Sequence, residues 1–211
     1  MSILNEISVN LQAGKAKIVK ELVQSAIDQG IAPGEILQEG LISGMDIIGV
    51  KFKNNEVFVP EVLISARAMN QGAELLKPLL KESGVKPIGK AVIGTVKGDL
   101  HDIGKNLVRM MLEGKGIEVI DLGVDVSADK FYESAASEGA KIVCCSALLT
   151  TTMVEMKNVV EKFKEMGNRN DFVIMVGGAP VNENFKESIG ADIYTADAAS
   201  AAEAAKCALI A

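Results

Sequence analysis

The chain contains one histidine, His101, in the run Gly98-Asp99-Leu100-His101-Asp102-Ile103-Gly104. Asp99, two residues earlier, can hold one imidazole nitrogen and leave the other free as a ligand, the carboxylate-histidine arrangement common around metals. Gly104, three residues later, lets a bulky group approach the backbone at a helix start. One imidazole without a thiolate cluster cannot supply the roughly three or four protein ligands that zinc takes. It suffices as a single axial ligand to a metal already held in a macrocycle. A GxGxxG turn and a Walker lysine are both missing from this run, which removes the main support for dinucleotide or nucleoside triphosphate binding.

Two further runs suit a large ligand. Ser146-Ala147-Leu148-Leu149-Thr150-Thr151-Thr152 is rich in hydroxyls and opens a helical segment. Serine and threonine at a helix start are ordinarily caps, so each hydroxyl alone says little. Gly177-Gly178-Ala179-Pro180 offers backbone without side chains, as would any tight turn between strand and helix. The order of the three runs is more specific than any one of them.

The elements that must position them fall into two halves. Up to about residue 83 the apolar residues recur at helical spacing. One helix carries Ile3, Leu4, Ile7 and Leu11, and a second carries Ile18, Val19, Leu22, Val23, Ala26 and Ile27. A third begins at Pro33 and continues to Phe52, and a fourth runs from Pro60 to Leu80 with Pro78 expected to bend its last turns. These predict a four-helix bundle over 1–83. A polar linker follows at 84–89. From 90 to 211 five short apolar runs alternate with amphipathic segments: Lys90 to Val96, Ile117 to Leu122, Lys141 to Ser146, Phe172 to Val176 and Asp192 to Thr195. Five rounds of strand and helix predict an α/β fold with a parallel, doubly wound sheet of flavodoxin-like order 2-1-3-4-5. Ligands of such sheets bind outside the carboxyl ends of the strands at the switch point between the first and third. The three runs are the loops that follow strands one, three and four.

Composition narrows the partners. The 211 residues are 48% apolar and 24% charged with a formal charge of −6, which describes a globular chain. An acidic balance, with a pI near 5.0, argues against nucleic acid or an anionic membrane as the main partner. No apolar run reaches the roughly 18 to 20 residues of a membrane span, and the first ten residues do not read as a secretion signal. Three cysteines cannot pair evenly, and Cys144-Cys145 lies within an apolar run, so free thiols in a reducing cytoplasm are expected.

With these residues in place, the sequence resembles the cobalamin-binding domains of methionine synthase. In size and layout it is closer still to the methyl-carrying corrinoid proteins of methylamine and methanol methyltransferase systems. The resemblance rests on Asp99-x-His101-x-x-Gly104, on Ser146-x-Leu148 with Thr150, on Gly177-Gly178 and on the helical module before them, and it spans nearly the whole chain. It implies a four-helix cap ahead of a Rossmann-like cobalamin-binding domain. It further implies that His101 replaces the lower base of cobalamin on cobalt, with the displaced nucleotide tail in a channel past Gly104, Ser146, Leu148, Thr150, Gly177 and Gly178. Gly98, Asp102, Ile103 and Ala179 fall in the same cofactor-binding loops. Asp99 and His101 are joined in that family by a hydroxyl, for which Thr152 stands where methionine synthase has serine. Phe52 and Val59, in the segments Gly44 to Phe52 and Val57 to Glu61, correspond to the cap residues on the upper corrin face; Val59 is smaller than the leucine of methionine synthase. Taken on its own, each is an ordinary bundle-core residue.

The function so implied is a methyl shuttle in which cobalt cycles between +1 and +3. Its partners would be a substrate-specific methyltransferase for a methylamine, methanol or betaine, a second methyltransferase acting on coenzyme M or tetrahydrofolate, and a reductive activation protein. The carrier would be catalytically incomplete alone. A cobalamin-dependent regulator or sensor is the alternative, although no helix-turn-helix segment or basic patch accompanies it. An adenosylcobalamin mutase domain would ordinarily lack the helical cap. A response-regulator fold would place a carboxylate where Ser146 stands.

Overall fold

The computed structural model describes residues 2–82 and 86–210. It divides into two compact units, Met1–Pro87 with Gly114–Gly116, and Ile88–Glu113 with Ile117–Ala211.

The first unit is helical: α1 (Ile3–Gln12), α2 (Ala16–Asp28), α3 (Pro33–Glu35), a π-helical stretch (Ile36–Ile42), α4 (Ser43–Lys53) and α5 (Val59–Glu82). Ser2 caps α1 by accepting a hydrogen bond from the Asn5 amide at 3.3 Å, and Glu61 accepts one from the Phe58 amide at the start of α5. α2 lies against α5, while α1 packs on α2, α4 and the π stretch. Ile7, Leu11, Val19, Val23, Ile36, Leu41, Val62 and Leu76 are fully buried between them. The periodicity predicts an unbroken α-helix from Pro33 to Phe52, and the structure differs by widening its first half. Ile36 and Leu41, five residues apart, are both fully buried, and a π turn is the geometry that brings that spacing to one face. α5 continues through Pro78 to Glu82. Residues 83–85, within or beside the expected linker, lie outside those described; 86–89 are non-helical and lead into the sheet.

The second unit alternates β1 (Lys90–Thr95), α6 (Ile103–Gly114), β2 (Glu118–Asp121), α7 (Ala128–Glu138), β3 (Ile142–Ser146), α8 (Met153–Glu165), β4 (Val173–Gly177), α9 (Glu183–Ile189), β5 (Ile193–Tyr194) and α10 (Ala198–Ile210). All pairings are parallel, as the alternation of strands and helices predicts, and the order is the flavodoxin-like β2-β1-β3-β4-β5. β1 and β3 are nearly continuous apolar runs because helices cover both faces. Phe131 and Phe163 are fully buried, and Tyr132, Phe163 and Phe172 meet edge to face with centroids 4.8 to 6.3 Å apart. Gly94 in β1 makes room for this layer, since a Cβ there would lie 2.8 Å from Phe131 Cζ. Register sets the site. Thr95 is level with Ser146, and Ser146 with Gly177, so the loops after β1, β3 and β4 leave the sheet side by side.

Candidate functional site

The loop from Val96 to Asp102 leaves β1 and is anchored at its far end by the Thr95 hydroxyl, which donates to the His101 carbonyl at 2.8 Å. Asp99 in its middle is completely buried, yet five donors converge on its carboxylate. Oδ1 lies 2.7 Å from His101 Nδ1 and accepts from the His101 amide at 3.1 Å. Oδ2 accepts from the Leu148 and Leu149 amides at 2.8 and 3.2 Å and lies 2.8 Å from the Thr152 hydroxyl. Burial pushes the Asp99 carboxyl up, but the hydrogen bonds, that of the His101 ring foremost, hold it far below the usual carboxylate range.

A charged acceptor at Nδ1 fixes the ring proton there. In the neutral ring Nε2 then carries the lone pair. The His101 side chain is half exposed, and its described ring hydrogen bond is made through Nδ1, not Nε2. Thr152 precedes α8 without capping it: its hydroxyl lies between Asp99 Oδ2 and the Leu149 carbonyl at 2.9 Å. The role open to any threonine at a helix start is thus not the one this residue takes.

The other predicted positions line the same sheet edge. Gly98, Asp102, Ile103 and Gly104 are exposed in and after the first loop; Leu148 and Thr150 are exposed after β3, with Ser146 half-buried beneath them. A Cβ at Gly104 or Gly177 would meet nothing within 4 Å, so both border open space. Gly178 is a different case. Its φ of 133° is one that side-chain-bearing residues avoid, and a Cβ would fall 1.8 Å from the Ala147 carbonyl oxygen. It must be glycine for the β3 and β4 loops to lie together. Ala179 is exposed beside it. Leu100 and Ile103 beside His101, and Leu148 and Leu149 whose amides bond Asp99, leave 70%, 74%, 43% and 41% of their surfaces exposed, apolar area that a folded chain ordinarily covers. Phe52 and Val59 belong to the helical unit, at the end of α4 and the start of α5. Both are half-buried and neither joins the fully buried core of that unit. Thr95, the two amides of Leu148 and Leu149, and Asp125 in the turn after β2 are parts of the site that sequence reasoning missed. Backbone donors leave no signal in side-chain identity, and Thr95 reads simply as the last residue of a strand.

A flavodoxin-like domain with a preset imidazole at its switch point, beside exposed aliphatics and bare backbone, defines a ligand-binding protein whose site opens at the carboxyl edge of the sheet. The comparisons agree. Residues 89–206 match the family model described as B12 binding domain, and residues 3–77 match a second model of that description. The chain belongs to the B12-binding protein family. It is 40% identical over 208 residues to a corrinoid protein of Desulfitobacterium hafniense, covering 97% of this chain and 96% of that one. It is likewise 40% identical over 196 residues to trimethylamine corrinoid protein 1 of Methanosarcina mazei, covering 92% and 91%. Among solved structures, a chain of the methanol:cobalamin methyltransferase complex of Methanosarcina barkeri superposes with a TM-score of 0.88 at 31% identity, covering 99% of this chain and 80% of that one. Membership carries cobalamin or a related corrinoid as the cofactor. The residues present fit such a group: one nitrogen donor suffices for a metal already held in a macrocycle, and Gly104 and Gly177, at the same sheet edge as His101, border open space.

Proposed function

We propose that the protein is a methyl-carrying corrinoid subunit that binds its cofactor with His101 in place of the lower base. The observation that supports this most is the Asp99–His101 pair, with the ring held at 2.7 Å through Nδ1 and the side chain half exposed. When bound, the corrin supplies a cobalt that accepts a methyl group in its +1 state and donates it from its +3 state. His101 would be the axial ligand to that metal. Gly98, Asp102, Ile103, Gly104, Ser146, Leu148, Thr150, Gly177, Gly178 and Ala179 would hold the ring edge and nucleotide tail.

The chain's own part is control of one nitrogen. Asp99 keeps the Nδ1 proton in place, and Thr152 with the Leu148 and Leu149 amides keeps Asp99 charged and immobile. A proton added at Nε2 consumes the lone pair that would bind the metal, so protonation favours the released ring and deprotonation the bound one. Ligation and proton uptake are thereby linked. Phe52 and Val59, by their place in the family, would shelter the upper corrin face.

Trimethylamine and methanol stand in the names of the relatives. By that analogy one partner of this chain is a methyltransferase specific for a small methyl donor; the family resemblance adds a second one that delivers to coenzyme M or tetrahydrofolate, and a reductive activator. The test loads the protein with hydroxocobalamin, reduces it, and follows its absorption spectrum with methanol or a methylamine and the matching donor methyltransferase. Methylation that needs the donor enzyme, and a His101→Ala protein with altered cobalt absorption, are expected. A His101→Ala spectrum identical to that of the native protein would contradict the assignment.

A further inference from the structure

Asp125 is one of two non-glycine residues described with left-handed backbone, at a φ of 54°. It is exposed, so burial does not explain why the chain accepts that conformation. Its hydrogen bonds do. Asp125 Oδ1 accepts from the Gly98 amide at 2.7 Å, and the Asp125 amide donates to the Asp99 carbonyl at 3.0 Å. The two bonds bracket the Gly98–Asp99 dipeptide, the point where the loop turns through a φ of 78° at Gly98 and sends Asp99 inward.

The turn that carries Asp125 is itself fixed. The Gly123 carbonyl accepts from the Thr95 amide at 3.0 Å and the Val126 amide donates to the Thr95 carbonyl at 2.9 Å. Asp121 Oδ1 accepts from the Gly123 amide at 2.9 Å and from Lys105 Nζ at 2.6 Å. Lys105 lies in the first turn of α6, its side chain only 2% exposed. The end of β2 and the turn after it therefore hold the His101 loop on both sides: Gly98 and Asp99 through Asp125, and the helix that follows through Asp121. A loop tied on both sides cannot let Asp99 drift, and the imidazole moves with Asp99.

We propose that Asp125 is a positioning residue for His101, fixing the loop so that Nε2 meets the cofactor in one place. The proposal rests on His101 being the cobalt ligand. Its test uses the full chain loaded with cob(II)alamin, with nitrogen ligation read by electron paramagnetic resonance. Asp125→Gly keeps the left-handed backbone but deletes the acceptor, and should raise the fraction of cobalt without histidine about fivefold, the worth of one hydrogen bond. Asp125→Asn keeps both the acceptor and the tolerance for this backbone, and should restore the native fraction. Thermal unfolding confirms that each variant is folded. Native ligation in Asp125→Gly, alongside lost ligation in His101→Ala, overturns the positioning role alone. Absence of a histidine signal in the unaltered protein overturns this proposal together with the ligand assignment beneath it.

Discussion

A buried carboxylate surrounded by five donors is stable only while charged. Asp99→Asn preserves shape but turns one acceptor into a donor facing donors, and should cost about 2 kcal/mol at neutral pH. The sign with pH follows from the lowered folded value: the stabilisation is complete above the unfolded carboxyl near 3.8 and is lost as pH falls below it toward the depressed value. Urea unfolding of the native and Asp99→Asn proteins should show a gap that is constant from neutral pH to about pH 4 and narrows below it. Thr152→Val, which deletes one donor to that carboxylate, should cost about 1 kcal/mol, with Thr152→Ser close to native in the same measurement. At this scale the pairing of Asp99 with His101 was legible from a spacing of two residues. The partnership of Thr152 with Asp99 was not, because the residues are 53 positions apart and only the sheet register makes them neighbours; the family likeness supplied it.

Among the elements, the carboxyl edge of the sheet decides what the loops can hold. Gly178→Ala would drive a methyl group into the Ala147 carbonyl and should cost about 2 to 3 kcal/mol, seen as a lower thermal midpoint. Gly104→Leu is the opposite case. Nothing lies within 4 Å of a Cβ there, so stability should hold or rise by up to about 1 kcal/mol, while affinity for hydroxocobalamin falls by about tenfold or more. A calorimetric titration beside a melting curve separates the two effects. Strands and helices of this half were legible because parallel strands covered on both faces are short apolar runs between amphipathic segments. The π stretch was not: Ile36, Leu37 and Leu41 lie within an apolar pattern that fits an ordinary α-helix, and the pattern alone does not say that Ile36 and Leu41 are the pair buried together.

At the scale of the whole molecule, the thiols are placed so that only one can react. Burial pushes Cys144 up to about 12 and Cys145 higher still, the latter also through its neighbour, whereas Cys207 is exposed on α10. Native protein should therefore take up a single alkyl group at Cys207, with Cys144 and Cys145 modified only after denaturation, as mass spectrometry of the digested protein would show. Among the described residues no helix is long and apolar enough to cross a membrane.

The presence of one histidine in the chain makes the central claim unusually direct to examine. Protein grown with nitrogen-15 histidine and loaded with cob(II)alamin carries the label at a single imidazole, and the cobalt hyperfine lines report the ligating nitrogen. Splitting that changes from a triplet to a doublet on labelling is the predicted result. A triplet unchanged by the label, showing dimethylbenzimidazole still on the metal, would contradict it.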